Sequence, residues 1–271
     1  MATSTTFTAS SENQRFGNVL GAEFSRIFGR TGVKVALGVC AVLGILSSSV
    51  ALVALKMLTQ ATQSDTLTAS ATNIYSTVSG GIEMTAFCLA LYFIAAVSKE
   101  FNDGSMRCGL LLVPNRTRLL VARTAVWVIL GVAASLIVGI IAAGTSMALG
   151  APEMDAGKLL AQFAISTVGA VCELAVGVAI GFIFKSSAVG IILFLCITQV
   201  VGMICSGIMM AAPEPFLTIV TIINNVMLGH GTAGLAVEPV FTDATANLTL
   251  VVIWGVLAML LSMLSFKKWN K

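Results

Sequence analysis

Six long apolar runs divide this sequence, and each is long enough to cross the hydrocarbon core of a bilayer, which is about 30 Å thick. The runs cover 35–55, 78–97, 124–149, 159–184, 188–212 and 248–266. Only 10% of the 271 residues are charged, whereas about a quarter of a soluble domain is charged. The sequence therefore predicts an all-α membrane protein with six transmembrane helices.

The cations predict the orientation of these runs. Thirteen of the fifteen Lys and Arg residues lie in segments on one side of the six runs, and only Lys56 and Lys158 lie on the other. Because cytoplasmic loops carry an excess of Lys and Arg, we expect a multi-pass protein of the plasma membrane with both termini in the cytoplasm.

The remaining segments complete the predicted architecture. Residues 1–11 are rich in Ser and Thr and predict a disordered tail, whereas 12–271 reads as a single transmembrane domain. The first run follows about thirty residues of polar and amphipathic chain, so we do not expect it to be a cleavable signal. The outer segment 213–247 contains an apolar stretch, 217–228, which is too short to span and predicts a re-entrant or interfacial helix before the last span.

An amphipathic helix is predicted over residues 12–30, before the first span. Its apolar residues recur at helical spacing, and Arg15, Arg26 and Arg30 lie to one side. Such a helix lies flat in the membrane interface. Glu23 falls within the apolar stripe, and it is either an ion-pair partner of Arg26 at i,i+3 or a carboxylate presented to a partner protein.

The segment 98–123 is the longest charged stretch between two apolar runs. Gly104 is suited to ending a helix that continues from the second run, and Pro114 to a turn or the start of a new helix. Between them, 106–113 is apolar apart from one cation. This predicts a short helix lying along a partner protein or the membrane surface.

The sequence lacks the motifs of several common kinds of catalytic and binding site. The chain has no GxxxxGK[ST] loop, which argues against an ATPase site of its own. It has one histidine, His230, which excludes multi-histidine metal sites. No cofactor, nucleic-acid partner or disulfide framework is expected. Polar residues inside the spans are rare and often functional, which makes Glu83, Glu173 and Gln199 candidates for a pathway. The structural alternatives are a pairing of Glu83 with Lys56 and a hydrogen-bonded Glu173.

Taken together, these features resemble the permease subunit of type-2 ABC transporters. Glu23-Phe24-Ser25-Arg26 is similar to the connecting helix of that family. The stretch from Glu100-Phe101 through Gly104-Ser105 to Leu110-Leu111, Pro114 and Arg116 is similar to its cytoplasmic motif after the second span. Arg123 matches a basic residue common at the start of the third span.

The resemblance implies a function and a set of coupling residues. It implies an exporter in which the chain forms the pathway with a second copy or a paralogue, near the first, second and fifth spans. Segment 98–123 would dock on a separate ABC-type ATP-binding subunit that holds ATP and Mg, with a second contact at Lys185-Ser186-Ser187. The implied coupling residues are Glu23, Arg26, Glu100, Gly104, Ser105, Leu110, Leu111, Pro114 and Arg116.

Two other functions fit the same sequence. An ion-coupled secondary transporter would use Glu173 and need no ATPase. A membrane scaffold or sensor would form a stable complex without ATP-dependent flux. The small-residue patterns Gly177-xxx-Gly181 and Ser135-xxx-Gly139 predict close helix packing under any of these functions.

Overall fold

A computed structural model describes residues 16–62, 67–112, 115–148, 156–200, 203–204, 207–208, 252–253 and 255–265. Within these residues the chain is all-helical and contains no strand. The helices are α1 (Phe16–Phe28), α2 (Thr31–Thr62), α3 (Leu67–Asn102), α4 (Ser105–Leu112), α5 (Arg116–Ala148), α6 (Ala156–Phe184), α7 (Ser187–Leu195), which continues as a π-helix (Cys196–Val200), and α8 (Gly255–Ser265).

Among the described residues, four helices are long and apolar enough to cross a membrane, and they coincide with the first four apolar runs. They cover Thr31–Ala54, Val78–Asn102, Arg116–Ala148 and Leu159–Phe184. The described parts of the fifth and sixth runs are shorter apolar helices, Ser187–Val200 and Gly255–Ser265. The structure therefore shows helices long enough for four of the six predicted spans. The tail 1–11 and the segment 213–247 lie outside the described residues.

Helix α3 is the centre of the bundle, because α2, α5, α6 and α7 all pack against it. Its buried aromatic residue Phe93 lies 4.6 Å, centroid to centroid, from Trp127 of α5. Phe87 of α3 similarly contacts Phe194 of α7 at 5.6 Å. Aromatic packing therefore ties the middle of α3 to two neighbours.

Small residues let α6 approach α3 closely, as the spacing of Gly177 and Gly181 predicts. A Cβ atom on Gly177 would lie 2.8 Å from the Cβ of Ala90, and one on Gly181 would lie 3.0 Å from the Cβ of Val97. Because these neighbours belong to a packed helix, there is no room for a side chain at either glycine.

We expect Gly177→Ala to destabilise the protein by about 1–3 kcal/mol, the usual cost of overpacking. Gly144→Ala on α5 is the matched control, since a Cβ there meets nothing within 4 Å. In open space the same change favours a helix by roughly 0.5–1 kcal/mol. Thermal unfolding in detergent should therefore show opposite signs for the two variants, and equal shifts would contradict the α3–α6 packing.

Helices α2, α3 and α5 extend well beyond the predicted spans. Helix α2 continues to Thr62 and α3 begins at Leu67, so most of the predicted outer segment 56–77 is helical. Helix α5 begins at Arg116, not at residue 124. The Oδ1 atom of Asn115 accepts a hydrogen bond from the backbone N–H of Arg118 at 3.2 Å and so caps the first turn of α5.

Part of the apolar stripe of α1 is buried in the bundle, and part is exposed on the surface. Val19 and Ile27 are buried, and α1 packs on α5. Phe16, Phe24 and Phe28 are exposed, and the rings of Phe24 and Phe28 stack at 5.6 Å. The helix therefore has one face packed on the bundle and an adjacent exposed aromatic face.

Candidate functional site: a charged cluster at one end of the bundle

Arg123 is fully buried on α5, two turns inside the helix. Its Nε and Nη2 atoms donate to the two carboxylate oxygens of Glu23 on α1, at 3.0 and 3.2 Å. Its Nη1 atom donates to Oε2 of Glu100, near the end of α3, at 2.7 Å. One guanidinium thus joins three helices, and its planar fork makes the two-bond contact with Glu23 possible.

Two further arginines complete this charged cluster, which we define as Glu23, Arg26, Arg30, Glu100 and Arg123. Oε1 of Glu100 accepts from Arg26 at 3.0 Å and from Arg30 at 2.8 Å. The predicted i,i+3 ion pair of Arg26 with Glu23 is confirmed at 3.2 Å. The Glu23 carboxylate is therefore turned into the protein.

The burial of these charges makes the cluster energetically important. Glu23 is 7% exposed, Glu100 2% and Arg123 0%, whereas Arg26 and Arg30 are half-buried. Three cations and two carboxylates leave the cluster with one positive charge. A buried charge without a partner costs several kcal/mol. The ion pairs within the cluster offset this cost for each of its members.

Helix α4 is held against the same cluster. The Nη1 atom of Arg123 lies 2.8 Å from the sulfur of Met106, a residue of α4 that is fully buried. One turn further along α4, a Cβ on Gly109 would lie 3.2 Å from Nη2 of Arg123. Met106 and Gly109 thus form the inner face of α4, and its outer face carries the exposed residues Arg107 and Cys108.

The turn between α3 and α4 has the geometry that the sequence predicts for Gly104. Gly104 has φ +71°, a conformation open to glycine and costly for other residues. Its carbonyl oxygen accepts the backbone N–H of Arg107 at 3.0 Å, which starts α4. The Ser105 hydroxyl donates to the carbonyl of Glu100 at 3.3 Å, so one of the last carbonyls of α3 has a partner.

The short turn between α6 and α7 lies at this same end of the bundle. The Nζ atom of Lys185 lies 5.9 Å from the centroid of the Phe101 ring, and Phe101 packs edge-on against Phe182 at 5.8 Å. Burial lowers the pKa of Lys185 from its usual range. The two segments expected to contact an ATPase, 98–123 and 185–187, are therefore neighbours.

The other predicted site residues fall into three groups. Leu110 and Leu111 belong to α4, Arg116 opens α5 and is half-buried, and Pro114 lies outside the described residues. Glu83 on α3 and Glu173 on α6 are buried inside membrane-spanning helices. Gln199 is exposed on the π-helix, and the side chain of Lys56, the predicted partner of Glu83, lies outside the described part.

Sequence reasoning did not place Arg123, Arg30 or Met106 in one site. It treated Arg123 as a cation at the start of a span. A usable signal was present, because Arg123 is surrounded in sequence by Leu119, Leu120 and Val126, and Glu23 interrupts an apolar stripe. Opposite charges on apolar faces of two helices predict that those faces pair.

Cys108 gives a test of orientation. It is exposed on α4, whereas Cys40 and Cys172 are buried in spans. We expect a membrane-impermeant maleimide to label inverted vesicles more strongly than intact cells, and to lose this signal with Cys108→Ser. Strong labelling of intact cells that depends on Cys108 would contradict the predicted topology.

No protein-family model and no curated protein matches this chain.

Proposed function

We propose that the chain is the membrane subunit of an ATP-driven exporter of the type-2 ABC class. In this proposal the six apolar runs cross the plasma membrane with both termini in the cytoplasm. A separate ATP-binding subunit holds ATP and Mg, and two membrane subunits, identical or paralogous, form the pathway. The charged cluster carries the proposal, because it joins the helices that coupling requires.

The proposed coupling follows from these contacts. Helix α4 would dock on the ATPase through its outer face, which carries Arg107 and Cys108. A displacement of α4 would act on Arg123 through Met106, and on the end of α3 through the Gly104 turn. Because Arg123 also holds Glu23 and Glu100, α1, α3 and α5 would move together. Glu23, Arg26 and Glu100 are then positioning residues for α4 and do not themselves touch the ATPase.

The surface of α2 supports the placement of a second membrane subunit. Helix α2 exposes apolar side chains along several turns, at Val35, Val39, Val42, Leu46, Val50 and Val53. Lipid or a second subunit covers such a face in a membrane. The family resemblance favours a second subunit here, since it implies a pathway near the first, second and fifth spans.

Co-purification tests the proposal. We expect the full-length chain, extracted in a mild detergent from its native membrane, to retain a second polypeptide that contains a GxxxxGK[ST] loop. Peptide mass spectrometry identifies that partner. A chain that purifies without any ATPase, yet transports in vesicles without ATP, would overturn the proposal.

The burial of Glu173 in the middle of α6 favours one alternative, an ion-coupled transporter. In that case a proton gradient alone would drive flux, and Glu173→Gln would abolish flux without changing assembly. In the ABC proposal, Glu173→Gln leaves ATP-dependent flux in place.

A further inference from the structure

Cys40 on α2 and Cys88 on α3 form a pair of thiols inside the membrane-spanning part of the bundle. The two side chains are hydrogen-bonded to each other. Cys40 is buried and Cys88 is half-buried, so Cys88 is the more accessible member of the pair. Neither thiol takes part in the charged cluster or in the proposed docking of α4.

The packing of α2 on α3 brings the two backbones close beside this pair. A Cβ on Gly44 would collide with the hydroxyl of Thr85 and lie 2.8 Å from the carbonyl oxygen of Gly81. A Cβ on Gly81 would lie 3.2 Å from the Cβ of Ser48. Because the helices are antiparallel, Cys40, one turn before Gly44 on α2, lies opposite Cys88, one turn after Thr85 on α3.

A disulfide requires Cα atoms about 4.4–6.8 Å apart. Gly44 and Gly81 bring the backbones of α2 and α3 close together one to two turns away, and the side chains of Cys40 and Cys88 face each other across the same helix pair. We propose that Cys40 and Cys88 are a redox-sensitive pair, which an organic hydroperoxide dissolved in the bilayer converts to a disulfide that locks α2 on α3. This inference goes beyond the proposed function and does not depend on an ATPase.

The reaction balances with one hydroperoxide. The sulfur of Cys88 attacks the terminal peroxide oxygen, the O–O bond breaks, and the alkoxide leaves as an alcohol after taking the Cys88 proton. Cys88 is then a sulfenic acid. The sulfur of Cys40 attacks it, the S–S bond forms, and the hydroxyl leaves as water with the Cys40 proton. Two thiols are oxidised, and one peroxide is reduced to an alcohol and water.

The test uses a full-length variant that keeps Cys40 and Cys88 and replaces the other four cysteines by Ala. Membranes are treated with cumene hydroperoxide and denatured, and free thiols are counted by alkylation and intact mass. We expect two free thiols before treatment and none after it, a mass loss of two hydrogens, and full recovery with dithiothreitol. The same variant with Cys40→Ser should form no intramolecular disulfide.

Two outcomes would overturn the inference. One is the persistence of two free thiols at a peroxide dose that oxidises a lipid-soluble dithiol in the same vesicles. The other is a disulfide only between two chains, which would place Cys88 against another copy and away from Cys40. Either result leaves co-purification with an ATPase unaffected, so the two proposals fail independently.

Discussion

Replacing Arg123 by leucine should destabilise the folded chain by roughly 3–5 kcal/mol, the usual effect of removing one partner from a buried ion pair. The substitution leaves the carboxylates of Glu23 and Glu100 buried with fewer cations. It also removes the contact with Met106 that holds α4. In detergent, the midpoint of thermal unfolding should fall by about 6–20 °C, at 2–4 °C per kcal/mol for a chain of this size.

Arg118→Leu is the matched control, because Arg118 is an exposed arginine in the first turn of the same helix. It should change the midpoint little. Arg123→Lys keeps the charge and loses the fork that binds Glu23 at two points, so we expect an intermediate effect. If Arg123→Leu is as stable as Arg118→Leu, the charged cluster is not what joins α1, α3 and α5.

A double-mutant cycle isolates the pair itself. Glu23→Gln and Arg123→Gln should each destabilise the chain, and the double variant should cost clearly less than the sum of the two. The expected coupling is about 1–3 kcal/mol, the upper part of the range for residues in one network. Additive effects would mean that the 3.0 and 3.2 Å contacts contribute little.

If α4 docks on an ATPase as proposed, replacing Leu110 and Leu111 together by serine should weaken that association about tenfold or more. Full burial of two leucines contributes about 3–6 kcal/mol at most, and loss of 1.4 kcal/mol is a tenfold loss of affinity. Gly104→Pro should have a similar effect, because proline fixes φ near −65° and the turn requires +71°. Both variants keep the cations of the loop, so orientation should be unchanged.

Co-purification yield and ATPase activity in reconstituted membranes measure this effect. Leu260→Ser with Leu261→Ser is the matched control, because it makes the same chemical change at two adjacent exposed leucines of α8, away from the proposed docking face. Wild-type yield and activity in both α4 variants, with correct insertion, would rule out α4 as the coupling element.

Local pattern predicted much of this fold. Helical periodicity located α1, hydropathy located the four long spans, and Gly104 located the break before α4. Each of these features depends on residues that are close in sequence. The small-residue spacing of Gly177 and Gly181 also indicated close packing, although it did not say that α3 is the partner.

Local pattern could indicate a pairing of Glu23 with Arg123 but not the whole charged cluster, because the cluster depends on contacts over long stretches of chain. Glu23 and Arg123 are one hundred residues apart, and Glu100 meets Arg26 across 74. Sequence patterns identified Glu23 and Glu100 singly but could not say that one arginine serves both. The predicted start of the third span was too late for a related reason. Without knowledge of its two carboxylate partners, Arg123 is taken as a charge that must lie outside the span.

The most direct test of the coupling proposal uses Cys108, which is exposed on the outer face of α4. A full-length variant that keeps only this cysteine is labelled with a maleimide–benzophenone probe in native membranes and irradiated. The proposal predicts a cross-linked polypeptide that mass spectrometry identifies as an ABC-type ATPase. A probe on Cys196, exposed on the π-helix within an apolar run, should cross-link to lipid or another membrane chain. Efficient labelling of Cys108 with cross-links to lipid alone would contradict the proposal that α4 docks on an ATPase.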